Sequence, residues 1–316
     1  VTKFPSPLKK GGTIGIVSPD RWAKPDWLEG AKAFFEKQGY KVVIHPQNYL
    51  KAMNADGKGQ MAGSIEAQAA AIAEMFVDKN IDAIVCARGG TGLTRILDAL
   101  DYDLIKSNPK PFVGFSAITG LLNAINQRCG FVTYHGPMAL SFAMEHDPRT
   151  EKDFFTMLGA GNKDLTFSSI DVIRPGQAEG RLIGGNMTSL QCLIGTKFDW
   201  MGKDTILVIE DVDEILYKID RTLEHFKQAG KLQNLRAVIV GEMVDTPDGE
   251  SQHMRPGDQP YGRDLRQILL DVMPADIPLC ANFPCGHGKY MTTLPVGAEA
   301  QLTLDKSGAT LQFKSA

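Results

Sequence analysis

Pro111-Phe-Val-Gly-Phe-Ser-Ala-Ile-Thr119 holds a strand, a corner and the start of a helix. Residues 111–115 predict a buried strand, Ser116 a sharp turn, and residues 117–129 a helix. Ile118, Leu121, Leu122 and Ile125 fall at the spacing of a buried helical stripe. A Ser at such a corner stands at the carboxyl edge of a sheet, and the amides after it point at any negative charge that develops there. Gly114 relieves crowding at the turn. The pattern departs from G-x-S-x-G, because Gly120 follows the Ser by four residues and not two. Such a Ser also serves as a plain helix N-cap. The corner alone does not choose between nucleophile and cap.

Working outward, strands are expected at 13–18, 41–45 and 82–86, with helices at 26–38, 64–79 and 93–100. Gly39 closes the first helix as a C-cap. Residues 54–63 form a polar, Gly-rich loop. Strand and helix alternate, which argues a mostly parallel sheet covered on both faces. Ligands bind such sheets outside the carboxyl ends of the strands. Ser18, Arg88-Gly89-Gly90 and Ser116 all fall at those ends.

The pattern changes between 150 and 180. A short helix at 150–158 is followed by Gly159, Gly161 and Arg174-Pro-Gly176, which mark a boundary. We expect an N-terminal α/β nucleophile domain over 1–165 and a C-terminal α/β domain over 178–316. In the second, strands are expected at 178–185, 205–210, 236–242 and 277–283. Helices are expected at 186–194, 213–230 and 261–272, with an end hairpin at 300–304 and 310–313. Residues 245–262, rich in Gly, Pro and charge, form a long surface loop.

Composition narrows the class. Among 316 residues, 43% are hydrophobic and 22% charged, and the net charge is −3. Those are values of a soluble globular protein with a sizeable core, and they leave no nucleic-acid footprint. Five Cys at 86, 129, 192, 280 and 285 are widely spaced, with no CxxC, and suit reduced thiols in a reducing compartment. No stretch approaches a membrane span, and none reads as a secretory leader. Neither a P-loop nor a dinucleotide fingerprint follows Arg88-Gly-Gly90. No HExxH or dense His/Asp cluster points to a metal, so no cofactor is expected.

A nucleophilic Ser needs a base within reach and a group that orients the base. His45 and His225 sit within regular elements, His253 in the long loop, and His146 just before the helix at 150. His135, in Thr133-Tyr-His-Gly-Pro137, follows a strand. His287, in Pro284-Cys-Gly-His-Gly288, follows another and is flanked by glycines that permit close backbone approach. Both are candidate bases. Glu210 ends the apolar run at 205–209 and is the candidate orienting acid, whereas Asp213 and Glu214 suit the N-terminus of the next helix. The Arg88-Gly89-Gly90 turn offers amides to an oxyanion, or a guanidinium to a substrate carboxylate.

Taken together these stretches resemble the LD-carboxypeptidase family of serine peptidases, which includes murein tetrapeptide carboxypeptidases and microcin C self-immunity proteins. The likeness runs through Pro7-Leu-Lys-Lys-Gly-Gly-Thr-Ile-Gly-Ile-Val-Ser-Pro19, Ala87-Arg-Gly-Gly90, Val113-Gly-Phe-Ser-Ala-Ile-Thr119 and Tyr134-His-Gly-Pro-Met138. It continues through Gly184-Gly-Asn186, Glu210-Asp-Val212 with Tyr217 and Asp220-Arg221, and Cys285-Gly-His287. The resemblance implies Ser116 as nucleophile, Glu210 as orienting acid and His287 as base. It implies an oxyanion hole from the amides of Ala117 and Gly89, with Arg88 and Gly90 toward the substrate. It also implies a nucleophile domain joined to a second domain with a β-barrel-like core, and commonly a homodimer. The activity implied is cytoplasmic release of a C-terminal D-amino acid from a murein tetrapeptide, in cell-wall recycling, without metal, nucleic acid or membrane. Two residues depart from the pattern: Ala117 where the family usually has Asp, and Asp20 where Ser is more usual. A rival within the family is an immunity hydrolase acting on peptidyl nucleotides, for which Trp200 is the aromatic considered for nucleobase stacking. A rival of another class is a non-catalytic two-domain protein that closes on a small ligand.

Overall fold

The structure, a computed structural model, describes residues 2–52, 59–91, 93–160, 164–200, 202–247 and 259–314. Much of the two expected loops, with His253, lies outside the described residues, as do Gly92 and Gly161. The strands of the first half are β1 (Thr13–Val17), β2 (Lys41–Ile44), β3 (Ala83–Cys86), β4 (Phe112–Gly114) and β5 (Thr133–His135). Those of the second are β6 (Leu165–Phe167), β7 (Asp171–Arg174), β8 (Gly176–Asn186), β9 (Thr205–Val212), β10 (Ala237–Val244) and β11 (Leu279–Gly286). The chain ends with β12 (Leu294–Val296), β13 (Glu299–Asp305) and β14 (Gly308–Phe313). It divides into two compact units, Val1–Lys163 with Lys289–Ala298 and Lys314–Ala316, and Asp164–Gly288 with Glu299–Phe313.

The first unit carries a sheet in the order β12-β5-β4-β3-β1-β2. β1 to β5 run parallel. Ile14, Ile16, Ile84, Val85, Phe112 and Val113 are fully buried, as a sheet covered on both faces requires. Helices Pro25–Lys37, Ile65–Val77 and Thr119–Cys129 accompany it. The helix expected at 93–100 is instead two short 3-10 turns, Leu93–Arg95 and Leu97–Ala99. Leu100 is extended, and Asp101 then caps a separate helix, Tyr102–Ser107, by accepting from the Leu104 amide at 2.9 Å.

Segment Lys289–Ala298, which the sequence reading put in the C-terminal domain, packs with the first unit. β12 pairs antiparallel with β5. Asp153 accepts from the Tyr290 hydroxyl at 2.5 Å and the Thr292 hydroxyl at 2.9 Å, and Thr150 Oγ1 accepts from the Met291 amide at 3.0 Å. Those polar anchors are 137 to 141 residues apart in the chain, beyond any local pattern.

The second unit is a sheet in the order β6-β14-β13-β8-β9-β10-β11-β7. β8 to β11 are parallel and the flanks antiparallel. Its edge strands, β6 and β7, are consecutive in the chain and joined by residues 168–170 only. Phe167 on β6 packs edge-on against Phe283 on β11, with ring centroids 4.8 Å apart. The sheet therefore curls back on itself, which gives the barrel-like core. Two helices start later than expected. Asp213 adopts φ 59°, so helical geometry waits until Leu216. A capping box between Asp264 and Gln267 fixes the other start at Leu265. Among the described residues no helix is long and apolar enough to cross a membrane.

Candidate active site

In the first unit, Phe115 is extended and Ser116 swings to φ 59°, a left-handed conformation that costs a non-glycine residue roughly 1–3 kcal/mol. The 3-10 turn Ser116–Ile118 leads into the helix at Thr119, and Ile118 occupies its N-cap without a side-chain cap bond. Ser116 is thus no N-cap, and the strain at this residue needs another purpose. Gly114 is required here, because a Cβ would lie 2.6 Å from Ile118 Cγ2.

The two glycines after Arg88 differ in what they touch. A Cβ on Gly89 would lie 3.1 Å from Ser116 Cβ, 3.2 Å from its Oγ and 3.6 Å from the Ala117 amide nitrogen. On Gly90 it would lie 2.4 Å from Asp20 Oδ1. The first unit therefore gathers Ser116, Ala117 and Gly89 at one point and Gly90 with Asp20 beside it. Arg88 is half-buried, with its guanidinium carbon 5.5 Å from the centre of the Trp27 ring. Burial and the nearby Arg21 lower its pKa, and Asp20 opposes them. His135 is the last residue of β5, 1% exposed, with its ring edge-on to Phe115.

In the second unit, Glu210 on β9 is fully buried and its Oε2 lies 2.8 Å from His287 Nδ1. Glycines make that approach possible. A Cβ on Gly286, whose φ is 104°, would sit 2.5 Å from Glu210 Oε2, and one on Gly241 would sit 3.0 Å from Glu210 Cβ. Burial pushes the Glu210 carboxyl up, with the His287 bond pulling the other way. Burial alone would lower His287. The hydrogen bond and charge of Glu210, joined by Asp211 and Asp213, outweigh it and raise the imidazole.

Two neighbouring acids, Asp211 and Glu242, have surroundings to which the sequence assigns no role. Asp211 accepts from Asn186 Nδ2 at 2.8 Å and from the amide and hydroxyl of Thr188 at 2.9 and 2.8 Å. It thereby ties β9 to the helix Met187–Gln191, and this explains the Gly184-Gly-Asn186 motif. Gly184 is squeezed against Val208 O at φ 119°, while Asn186 caps the helix through the Ser189 amide. Glu242 ends the apolar run of β10 much as Glu210 ends that of β9. A Cβ on Gly288 would collide with its carboxyl, and burial raises its pKa. The acid-after-apolar-run signal that picked out Glu210 was present there too.

Trp200 does not fit the role considered for it. It is 4% exposed, donates from Nε1 to Leu190 O at 3.2 Å and packs edge-on against Phe226. It is a core residue of the second unit and offers no face to a base. Among the described residues, no group of three or more His, Cys, Asp or Glu side chains is placed to hold a metal ion.

The LD-carboxypeptidase N-terminal domain matches residues 14–136, and the LD-carboxypeptidase C-terminal domain matches 179–302. A probable murein peptide carboxypeptidase of Bacillus subtilis is 33% identical over 313 residues, 98% of this chain and 94% of the relative. The muramoyltetrapeptide carboxypeptidase of Oxalobacter formigenes superposes with a TM-score of 0.82 at 26% identity, covering 96% of this chain and 99% of that one. An MccF-like protein of Bacillus anthracis superposes with a TM-score of 0.84 at 27% identity, covering 99% of each chain. With both domains matched in order, this chain belongs to the LD-carboxypeptidase family of serine peptidases.

Proposed function

We propose that this chain is a serine carboxypeptidase that hydrolyses an L,D peptide bond in a murein peptide and releases a C-terminal D-amino acid such as D-Ala. Ser116 Oγ attacks the scissile carbonyl and His287 Nε2 takes its proton. Glu210 holds the imidazole tautomer through Nδ1 and stabilises the imidazolium. The amides of Ala117 and Gly89 stabilise the oxyanion. His287 returns the proton to the departing amine, and water then attacks the acyl-enzyme by the same route. Arg88, beside Gly90, receives the terminal carboxylate. Ala117 in place of Asp leaves the donor intact, because an amide does not depend on its side chain.

The observation that carries this reading is the buried Glu210–His287 bond at 2.8 Å. A carboxylate buried in the core to meet an imidazole, with Asn186 as a further partner, is a costly arrangement, and holding the imidazole in one tautomer accounts for it. The nucleotide-hydrolase rival loses its stacking residue, since Trp200 is in the core. A reducing cytoplasmic setting and a homodimer belong to the same proposal, the first fitting the five free thiols. The test is D-Ala release from L-Ala-γ-D-Glu-meso-diaminopimelate-D-Ala, with Ser116→Ala as control. Replacing the nucleophile should lower kcat on the order of 10⁴–10⁶. Undiminished release by Ser116→Ala would refute the mechanism.

A further inference from the structure

The turn that touches Ser116 is flanked by more charge than the reaction above uses. A Cβ on Gly90 would lie 2.4 Å from Asp20 Oδ1 and 2.7 Å from Arg21 Cγ. Both side chains therefore lie against this turn, and Arg88 begins it. The Nε atoms of Arg21 and Arg88 are both buried without a hydrogen-bond partner. Arg21 is held from its far end, where Nη2 donates to Gln60 Oε1, and Arg88 rests over Trp27. Burial depresses Arg88 most, and the charge of Arg21 adds to it. Two cations kept close together with idle buried donors call for an explanation. Among the described residues Asp20 supplies one negative charge here against two positive.

We propose that Arg21 is a second receptor for the substrate's terminal carboxylate, acting with Arg88 over the Gly89–Gly90 turn while Asp20 holds the two cations together. The proposal rests on the carboxypeptidase reading. Spacing along the turn fits it. Gly89 lies against Ser116 and Ala117, and Gly90 lies against Asp20 and Arg21. Adjacent Cα atoms are about 3.8 Å apart. The scissile carbonyl and the carboxylate of the released residue are separated by a similar single-residue step. Oxyanion and carboxylate would then be read by consecutive residues of one turn. A guanidinium suits this task because it meets a carboxylate with paired donors. An extra positive charge so placed makes the enzyme an exopeptidase, since an internal peptide bond presents no charge there.

The experiment compares two tetrapeptides, one ending in D-Ala and one in D-alaninamide, with wild type, Arg21→Gln and Arg21→Lys. Wild type should prefer the free acid. Arg21→Gln should lose about 10- to 100-fold in kcat/KM on the acid, mostly through KM, as expected for one charge-assisted contact. Its loss on the amide should be clearly smaller, and Arg21→Lys should recover part of the preference. Equal losses on both peptides, or none on the acid, would overturn the assignment. If Arg21→Gln unfolds, Arg21→Lys decides: an unchanged acid-to-amide ratio in it also overturns the assignment. Turnover of neither peptide by wild type would instead bring down the carboxypeptidase reading itself.

Discussion

Ser116 and His287 are held by different physics. At Ser116 the backbone does the positioning: a left-handed residue between an extended strand end and a 3-10 turn, with Gly89 pressed against it and Gly114 leaving room for Ile118. No charged side chain is needed to fix its direction. At His287 the positioning is electrostatic. A fully buried carboxylate, walled by Gly241 and Gly286, aims one ring nitrogen. A backbone corner tolerates small steric change, because the chain can give by a few tenths of an ångström. A desolvated pair tolerates little, since losing or moving one partner leaves a buried polar group unpaired.

The strongest test of that contrast is Glu210→Gln. The amide keeps the shape but favours the wrong imidazole tautomer, and kcat should fall about 10⁴-fold with folding retained. A loss under tenfold would mean that Glu210 does not orient the base. The next test pairs two glycines. Gly286→Ala puts a methyl 2.5 Å from Glu210 Oε2 at φ 104°. Moving the carboxylate by about 1 Å should cost around 100-fold in kcat. Gly89→Ala meets Ser116 at 3.1–3.2 Å and should cost less, by steady-state kinetics on the same peptide. If Gly89→Ala is the more damaging of the two, the contrast between the units is reversed. The smallest effect concerns pH. His287 must be neutral to accept a proton, so activity is lost as pH falls through its raised pKa. The acid limb of kcat/KM should lie above the ordinary 6.5. Asp213→Asn removes one of the charges that raise it and should move that limb to lower pH. A limb that stays put would show that Asp213 does not act on the imidazole.

Much of this arrangement could be read along the chain, because it is built from local signals. The buried stripe Leu121, Leu122 and Ile125, the apolar run before Glu210 and the glycines around His287 each lie within a few residues of the side chain they position. The edges of the helices were harder. Asp213 looked like a helix start and is a left-handed breaker, which only its dihedral angle reveals. Asp211 was passed over because its partners, Asn186 and Thr188, are 25 and 23 residues away. The same distance problem hid the destination of β12, whose pairing with β5 is a long-range register. Trp200 drew attention as a large aromatic, although its burial depends on Leu190 and Phe226 from two different helices.

The return of Lys289–Ala298 to the first unit has a meaning for ancestry and for shuffling. His287, the proposed base, is followed by Gly288, after which the chain leaves the second unit. A recombination event that exchanged everything beyond residue 163 would therefore replace an outer strand of the recipient's first sheet along with the incoming Glu210 and His287. The new β12 would have to match the old β5, whose Thr133, Tyr134 and His135 are all buried. An unmatched edge there would leave ladder groups open to other chains. Inheritance of the two halves is thus linked by a three-residue strand, and a hybrid of distant relatives would be judged first at that seam rather than at its chemistry.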